Sequence, residues 1–136
     1  MKALENKEIS FMPKHILVID DDHLVAKSLS KLLEKEGYNI ICTENSHNAL
    51  VLLSDTDFDL IITDIKMPGM DGIKMATIIK DTLKLNKKKD IPIIFITGYS
   101  DEKSYADAKK LNVADFIYKP FDKEKFLQSV ENTLKN

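Results

Sequence analysis

The stretch HILVIDDD, residues 15–22, joins four consecutive apolar residues to three aspartates. A continuous apolar run is typical of a β-strand that is covered on both faces, as in parallel sheets. Similar runs end on Asp64 in FDLIITD, on Thr97 in IPIIFIT and on Lys119 in DFIYK. Because strand carboxyl ends share one edge of an open α/β sheet, we expect Asp20, Asp64, Thr97 and Lys119 to meet there.

Strand and helix patterns alternate along the whole chain outside its first residues. Apolar runs predict strands over residues 15–20, 38–43, 58–63, 91–96 and 115–119. Helical spacing of apolar residues predicts helices over 24–36, 46–53, 72–83, 102–111 and 121–134. Such alternation implies right-handed crossovers, hence an α/β fold with a parallel sheet and helices on both faces. Residues 1–13 lie outside the pattern and are predicted to form a flexible arm before one domain, residues 14–136.

The amino-acid composition indicates which classes of partner are not expected. The 20 basic residues are all lysines, spread along the chain against 22 acidic residues, so we expect no nucleic-acid partner. No apolar run has the length of a signal peptide or membrane span, so no membrane partner is expected. Cys42 is the single cysteine, which favours a cytoplasmic location, and we predict that it is buried in the second strand.

The acidic residues after the first strand predict a metal site. Asp20 and Asp21 would face Asp64, and their mutual repulsion is best relieved by a divalent cation with oxygen ligands, such as Mg²⁺. Asp22 is interpreted instead as the cap of the following helix. Beside a metal, Asp64 could be a general base, a ligand or a nucleophile that attacks phosphorus. If Asp64 is a nucleophile, a cation and a hydrogen-bond donor must offset the charge that develops on the phosphoryl group. Lys119 and Thr97 would supply these two parts.

The chain resembles the receiver domain of two-component response regulators over residues 15–134. Four ordered motifs carry this resemblance: LVIDDD at 17–22, the stretch 59–72 with Asp64 and the Met67-Pro68 pair, Thr97-Gly98, and FIYKPF at 116–121. The resemblance implies a flavodoxin-like three-layer sandwich with strand order 2-1-3-4-5. It further implies a phosphoprotein of signal transduction that accepts a phosphoryl group, and not an enzyme.

The resemblance also assigns roles to individual residues. Asp64 would be the phosphoacceptor, and Lys119 would bind the phosphoryl oxygens, with a cis peptide bond to Pro120. Thr97 and Phe116 would form the switch that responds to phosphorylation. Mg²⁺ would be held by Asp20, Asp21, Asp64 and the backbone carbonyl of Lys66.

The side chains of Lys66 and Tyr99 lie two residues after the acceptor and the switch threonine. We expect this cation and this ring to shield the acyl phosphate from water and to slow its hydrolysis.

The same resemblance implies the partners. A sensor histidine kinase or a histidine phosphotransfer protein would donate the phosphoryl group. A downstream target would dock on the last two helices and the final strand. We expect no effector domain in this sequence, which leaves open a stand-alone receiver or a piece of a longer regulator.

Three other functions fit parts of the pattern. A metal-dependent small-molecule phosphatase of the aspartyl-phosphate type would need a substrate cap, and no insertion is long enough to build one. An FMN carrier would need a phosphate-binding loop where three aspartates stand. An interaction module that is never phosphorylated would not require the acidic set, Thr97 and Lys119, but is compatible with them.

Overall fold

A computed structural model describes residues 13–67, 70–98, 102–111 and 113–135. Its main strands are β1 His15–Ile19, β2 Asn39–Thr43, β3 Leu60–Asp64, β4 Ile93–Thr97 and β5 Asp115–Tyr118. Its helices are α1 His23–Lys35, α2 Ser46–Asp55, α3 Gly72–Leu85, α4 Glu102–Lys110 and α5 Lys123–Lys135. The alternation predicted from the sequence is therefore confirmed, with shifts of a few residues at the element ends.

The five strands form one parallel sheet in the order β2-β1-β3-β4-β5. Helices α2, α3 and α4 contribute to one apolar cluster, and helices α1 and α5 contribute to another. Along β1, Leu17 and Ile19 belong to the first cluster and Ile16 and Val18 to the second, as the two-residue period of a strand requires. The three layers and the strand order agree with the predicted flavodoxin-like fold.

Both faces of the sheet carry large buried side chains. Met75 of α3 and Phe95 of β4 lie in the first cluster, and Phe126 of α5 lies in the second; all three side chains are fully buried. Burial of a side chain of this size stabilises a fold by roughly 1.5–3 kcal/mol. The sheet is therefore held from both sides, which fixes the positions of its strand ends.

Cys42 corrects one sequence prediction, because it lies in β2 as expected but is exposed. Strand β2 is at the edge of the sheet, and its residues are mostly exposed. The Cys42 thiol lies 2.6 Å from the Ser30 hydroxyl on α1. The prediction rested on the apolar run of β2 alone and did not use the edge position that the strand order 2-1-3-4-5 gives to the second strand.

Other details also differ from the sequence analysis. A short antiparallel ribbon pairs Lys66–Met67 with Met70–Asp71 after β3, and nothing in the sequence predicted it. In α5 the fully buried residues are Phe126 and Val130.

Some predictions fall on residues outside the described part of the chain. These are the arm, apart from Pro13, together with Pro68, Gly69 and Tyr99. None of the helices in the described ranges combines the length and apolar character that a membrane crossing requires.

Candidate functional site

The carboxyl edge of the sheet brings together side chains that are far apart in sequence. Asp20 directly follows β1, Asp64 is the last residue of β3, and Lys119 directly follows β5. The Lys119 Nζ lies 3.0 Å from Asp64 Oδ2 and 3.4 Å from Asp20 Oδ2. Thr97 ends β4 at the same edge, where its carbonyl accepts a 2.8 Å hydrogen bond from the Lys119 N–H. The expected convergence of these four residues is thus observed.

Asp20 is a buried carboxylate, with 2% of its surface exposed. Burial raises the pKa of Asp20, and the charge of Asp64 raises it further. The Asp22 N–H, which donates to Asp20 Oδ1 at 2.9 Å, and the Lys119 ammonium oppose this rise in pKa. The groups around Asp20 therefore offset only part of the free-energy cost of its buried negative charge.

Lys119 is the cation of this group. Burial alone would lower the pKa of Lys119, but its hydrogen bond and charge interaction with Asp64, together with those of Asp20, outweigh burial and raise it. The ammonium is therefore charged at neutral pH. The bond from Lys119 to Pro120 is cis, as the sequence analysis expected.

Asp21 completes a set of three carboxylates. One oxygen each from Asp20, Asp21 and Asp64 lie within 4.8 Å of one another, and Asp21 is exposed to solvent. Asp22 does not join them, because its side chain caps α1 by accepting from the N–H groups of Leu24 and Val25, as predicted. Oxygen donors at this spacing fit a hard divalent cation such as Mg²⁺.

The loop after β3 orients the Asp64 side chain. The Lys66 N–H donates to Asp64 Oδ1 at 3.2 Å, opposite the oxygen that accepts from Lys119. At the far end of the loop, the Gly72 N–H donates to the Ile65 carbonyl at 2.6 Å. Gly72 was predicted as the end of the stretch 59–72 and the start of a helix, and the close backbone contact that it makes was not predicted.

Phe116 belongs to an aromatic cluster that extends from the core to the surface. Its ring is 6.2 Å from the buried Phe95 ring, 5.3 Å from Tyr105 on α4 and 5.1 Å from Tyr118, centroid to centroid. Tyr105 and Tyr118 are 38% and 43% exposed. The contact with Tyr105 was not predicted, because contacts between α4 and β5 depend on packing that a sequence pattern does not show.

Comparison with known proteins gives consistent matches. A profile of the response regulator receiver domain matches residues 16–131. The transcriptional regulatory protein FixJ of Bradyrhizobium diazoefficiens is 31% identical over 121 residues, which cover 89% of this chain and 57% of FixJ. The transcriptional regulatory protein CrdR of Helicobacter pylori is 32% identical over 111 residues, which cover 82% of this chain and 50% of CrdR. The chain thus spans about half the length of these two relatives.

A solved structure matches over nearly the whole length of both chains. The signal receiver domain of a signal transduction histidine kinase from Syntrophus aciditrophicus is 32% identical and has a TM-score of 0.78. The match covers 90% of this chain and 90% of that domain.

Replacement of Asp20 by asparagine is expected to stabilise the metal-free protein at pH 7. The pKa of Asp20 is raised in the folded state, so the folded protein binds this proton more tightly than the unfolded chain. The free energy of unfolding therefore falls as pH rises from the ordinary value of about 3.8 through the raised folded pKa. Urea denaturation in chelator measures the free energy of unfolding of the native protein and of Asp20→Asn. The measurement is made at pH 7 and at a pH low enough to protonate Asp20 in both the folded and the unfolded state.

The advantage of Asp20→Asn should disappear at the low pH, and Asp21→Asn, at an exposed position, should change stability less at pH 7. Saturating Mg²⁺ should make the native protein more stable than Asp20→Asn, because the native protein gains binding energy that this variant loses. An Asp20→Asn protein that is less stable than the native protein at pH 7 in chelator would contradict this account of Asp20.

Proposed function

Since the chain belongs to the response regulator receiver domain family, we propose that it accepts a phosphoryl group on Asp64 in a two-component or phosphorelay system. The observation that carries this proposal is the position of the Lys119 ammonium, 3.0 Å from Asp64 Oδ2 and 3.4 Å from Asp20 Oδ2. A nucleophilic carboxylate, a second carboxylate and a fixed cation are the parts that phosphoryl transfer to an aspartate needs.

Asp64 suits the role of nucleophile because its carboxylate is fixed from two sides. Oδ2 accepts from Lys119 and Oδ1 accepts from the Lys66 N–H, so the side chain has little freedom to rotate. In the proposed step, one Asp64 oxygen forms a bond to phosphorus while the P–N bond of a phosphohistidine donor breaks. The departing imidazole takes up a proton, and Asp64 becomes an acyl phosphate.

Asp20, Asp21, Asp64 and the Lys66 carbonyl are proposed to hold Mg²⁺. With all groups ionised, three carboxylates against one ammonium leave two negative charges, which a divalent cation balances. When bound, the ion would offset the negative charge of the phosphoryl oxygens. Lys119 would pair with those oxygens once Asp64 carries the phosphoryl group.

Thr97 and Phe116 are proposed as the switch that reports phosphorylation. Thr97 is 1% exposed and lies beside Tyr118 in the β4–β5 register. The half-buried Phe116 ring lies near the ring of the core residue Phe95 and near the exposed rings of Tyr105 and Tyr118. A shift of Thr97 toward the phosphoryl group would let Phe116 move inward, which changes the populations of two packings.

The proposed partners follow from this arrangement. A histidine kinase or a histidine phosphotransfer protein would supply the phosphoryl group, in the cytoplasm, to the domain formed by residues 14–136. The downstream target would dock on α4, β5 and α5, where the Tyr105 and Tyr118 rings are exposed. Tyrosine is enriched in protein interfaces, which supports this surface as the output face.

Asp64→Asn tests the acceptor. We expect the native chain to gain the mass of one phosphoryl group when incubated with acetyl phosphate and Mg²⁺, and the variant to gain none, because an amide cannot attack phosphorus. Intact-mass spectrometry with and without chelator measures the gain. Asp81→Asn, which changes an exposed aspartate of α3, is the matched control and should behave as the native chain. Equal gain by native and Asp64→Asn proteins would contradict the proposal.

Lys119→Met tests the role of the cation. Loss of a fixed charge that offsets developing negative charge is expected to slow phosphoryl gain by about 10²-fold. Lys135→Met removes a lysine from an exposed pair with Glu131 and is the matched control. The time course of the mass gain in acetyl phosphate and Mg²⁺ is the measurement. If Lys119→Met gains mass as fast as Lys135→Met, Lys119 has no role in the transfer step.

A further inference from the structure

Gly72 lies where no other side chain fits. A Cβ atom added to Gly72 would stand 2.3 Å from the backbone oxygen of Asp64 and 2.7 Å from the Cα of Ile65. Both are backbone atoms, so a rotamer change cannot relieve the overlap. An alanine here would therefore force the start of α3 and the end of β3 apart by roughly an ångström to reach ordinary contact at 3.4 Å.

The end of β3 has little room to move away from Gly72. The Asp64 carbonyl accepts a 3.0 Å hydrogen bond from the Thr63 hydroxyl, and Asp64 is registered with Ile96 of β4. The Ile65 side chain is 2% exposed in the core. The backbone on both sides of the close contact is thus fixed by the sheet and by the core.

Gly72 also holds the loop that orients the acceptor. Its N–H donates to the Ile65 carbonyl at 2.6 Å, which closes the loop between Asp64 and α3. Within that loop, the Lys66 N–H donates to Asp64 Oδ1. A continuous set of backbone contacts therefore runs from the first residue of α3 to the carboxylate that is proposed to attack phosphorus.

We infer that Gly72 is a positioning residue for phosphoryl transfer: the close contact that its missing side chain allows sets the orientation of the Asp64 carboxylate and of the Lys66 backbone. This inference rests on the proposed function of Asp64. Misplacement of a reacting group by about 1 Å can cost on the order of 10²-fold in rate. We therefore expect Gly72→Ala to slow phosphoryl gain by about 10- to 100-fold.

Two controls separate positioning from stability. Gly98→Ala adds the same methyl group directly after β4, where Lys119 Cβ would lie at an ordinary contact distance of 3.9 Å. Ala76→Gly destabilises α3 one turn after Gly72, at a fully buried position, without adding bulk at the strand end. For each protein, urea denaturation gives the folded fraction, and the rate of mass gain in acetyl phosphate and Mg²⁺ is divided by that fraction.

The expected result is a 10- to 100-fold slower rate for Gly72→Ala, with Gly98→Ala and Ala76→Gly within about threefold of the native chain. If the corrected rates of Gly72→Ala and the native chain agree, Gly72 has only a structural role and the inference is overturned. If the native chain itself gains no mass while folded, the proposed function fails instead, so the two failures are distinguishable.

Asp71→Ala keeps the inference testable if Gly72→Ala does not fold. The Asp71 side chain caps α3 by accepting from the Ile73 N–H at 2.8 Å, so its loss loosens the start of α3 next to Gly72. We expect a corrected rate three- to tenfold below that of Ala76→Gly. Equal corrected rates for Asp71→Ala and Ala76→Gly would overturn the inference.

Discussion

The Lys119 ammonium lies between two carboxylates whose residues are buried at the ends of different strands, and it joins parts of the chain separated by up to 99 positions. A carboxylate removed from water requires a counter-charge or hydrogen-bond donors, and loss of the cation that two buried carboxylates share would leave both of them without it. Asp20 and Asp64 both accept from Lys119, and each also accepts from a backbone N–H group. These contacts hold the site together, but Asp20 and Asp64 together carry more negative charge than the Lys119 ammonium offsets.

That excess connects stability to function. The pKa of Asp20 is raised by burial, so its ionised form costs the fold free energy that a bound cation would return. Lys119 keeps its own charge because the same two carboxylates outweigh its burial. The arrangement attracts a cation to the sheet edge, where the proposed phosphoryl transfer would need positive charge.

The sheet explains why these groups can be held at hydrogen-bond distance. Apolar side chains cover both faces of β1, β3 and β4, so those strands have little freedom to slide or tilt. Gly72 then lets α3 approach the end of β3 closely enough to close the loop onto Asp64. The same sheet pairs Phe116 with Phe95 of the neighbouring strand, and the Phe116 ring also lies near the exposed Tyr118.

Features that the sequence predicted differ in physical origin from features that it did not predict. Continuous apolar runs before Asp20, Asp64 and Thr97 predicted the buried strands, because a strand covered on both faces has no polar alternation. The exposure of Cys42 was not predictable in this way, because it depends on which strand lies at the edge.

Through-space contacts were also beyond the sequence pattern. The restriction at Gly72 arises from the Asp64 and Ile65 backbone, and the contact of Tyr105 with Phe116 arises from the packing of α4 on β5. Both contacts depend on distances between elements that are separate in sequence.

The position of the phosphoryl group in the modified chain tests the central claim most directly. The native protein would be treated with acetyl phosphate and Mg²⁺, the acyl phosphate reduced with borohydride, and the peptides sequenced by mass spectrometry. The account predicts that the reduced residue is Asp64 and that hydroxylamine removes the phosphoryl group from unreduced protein. A label on Asp20 or Asp21, or a label that hydroxylamine does not remove, would contradict it.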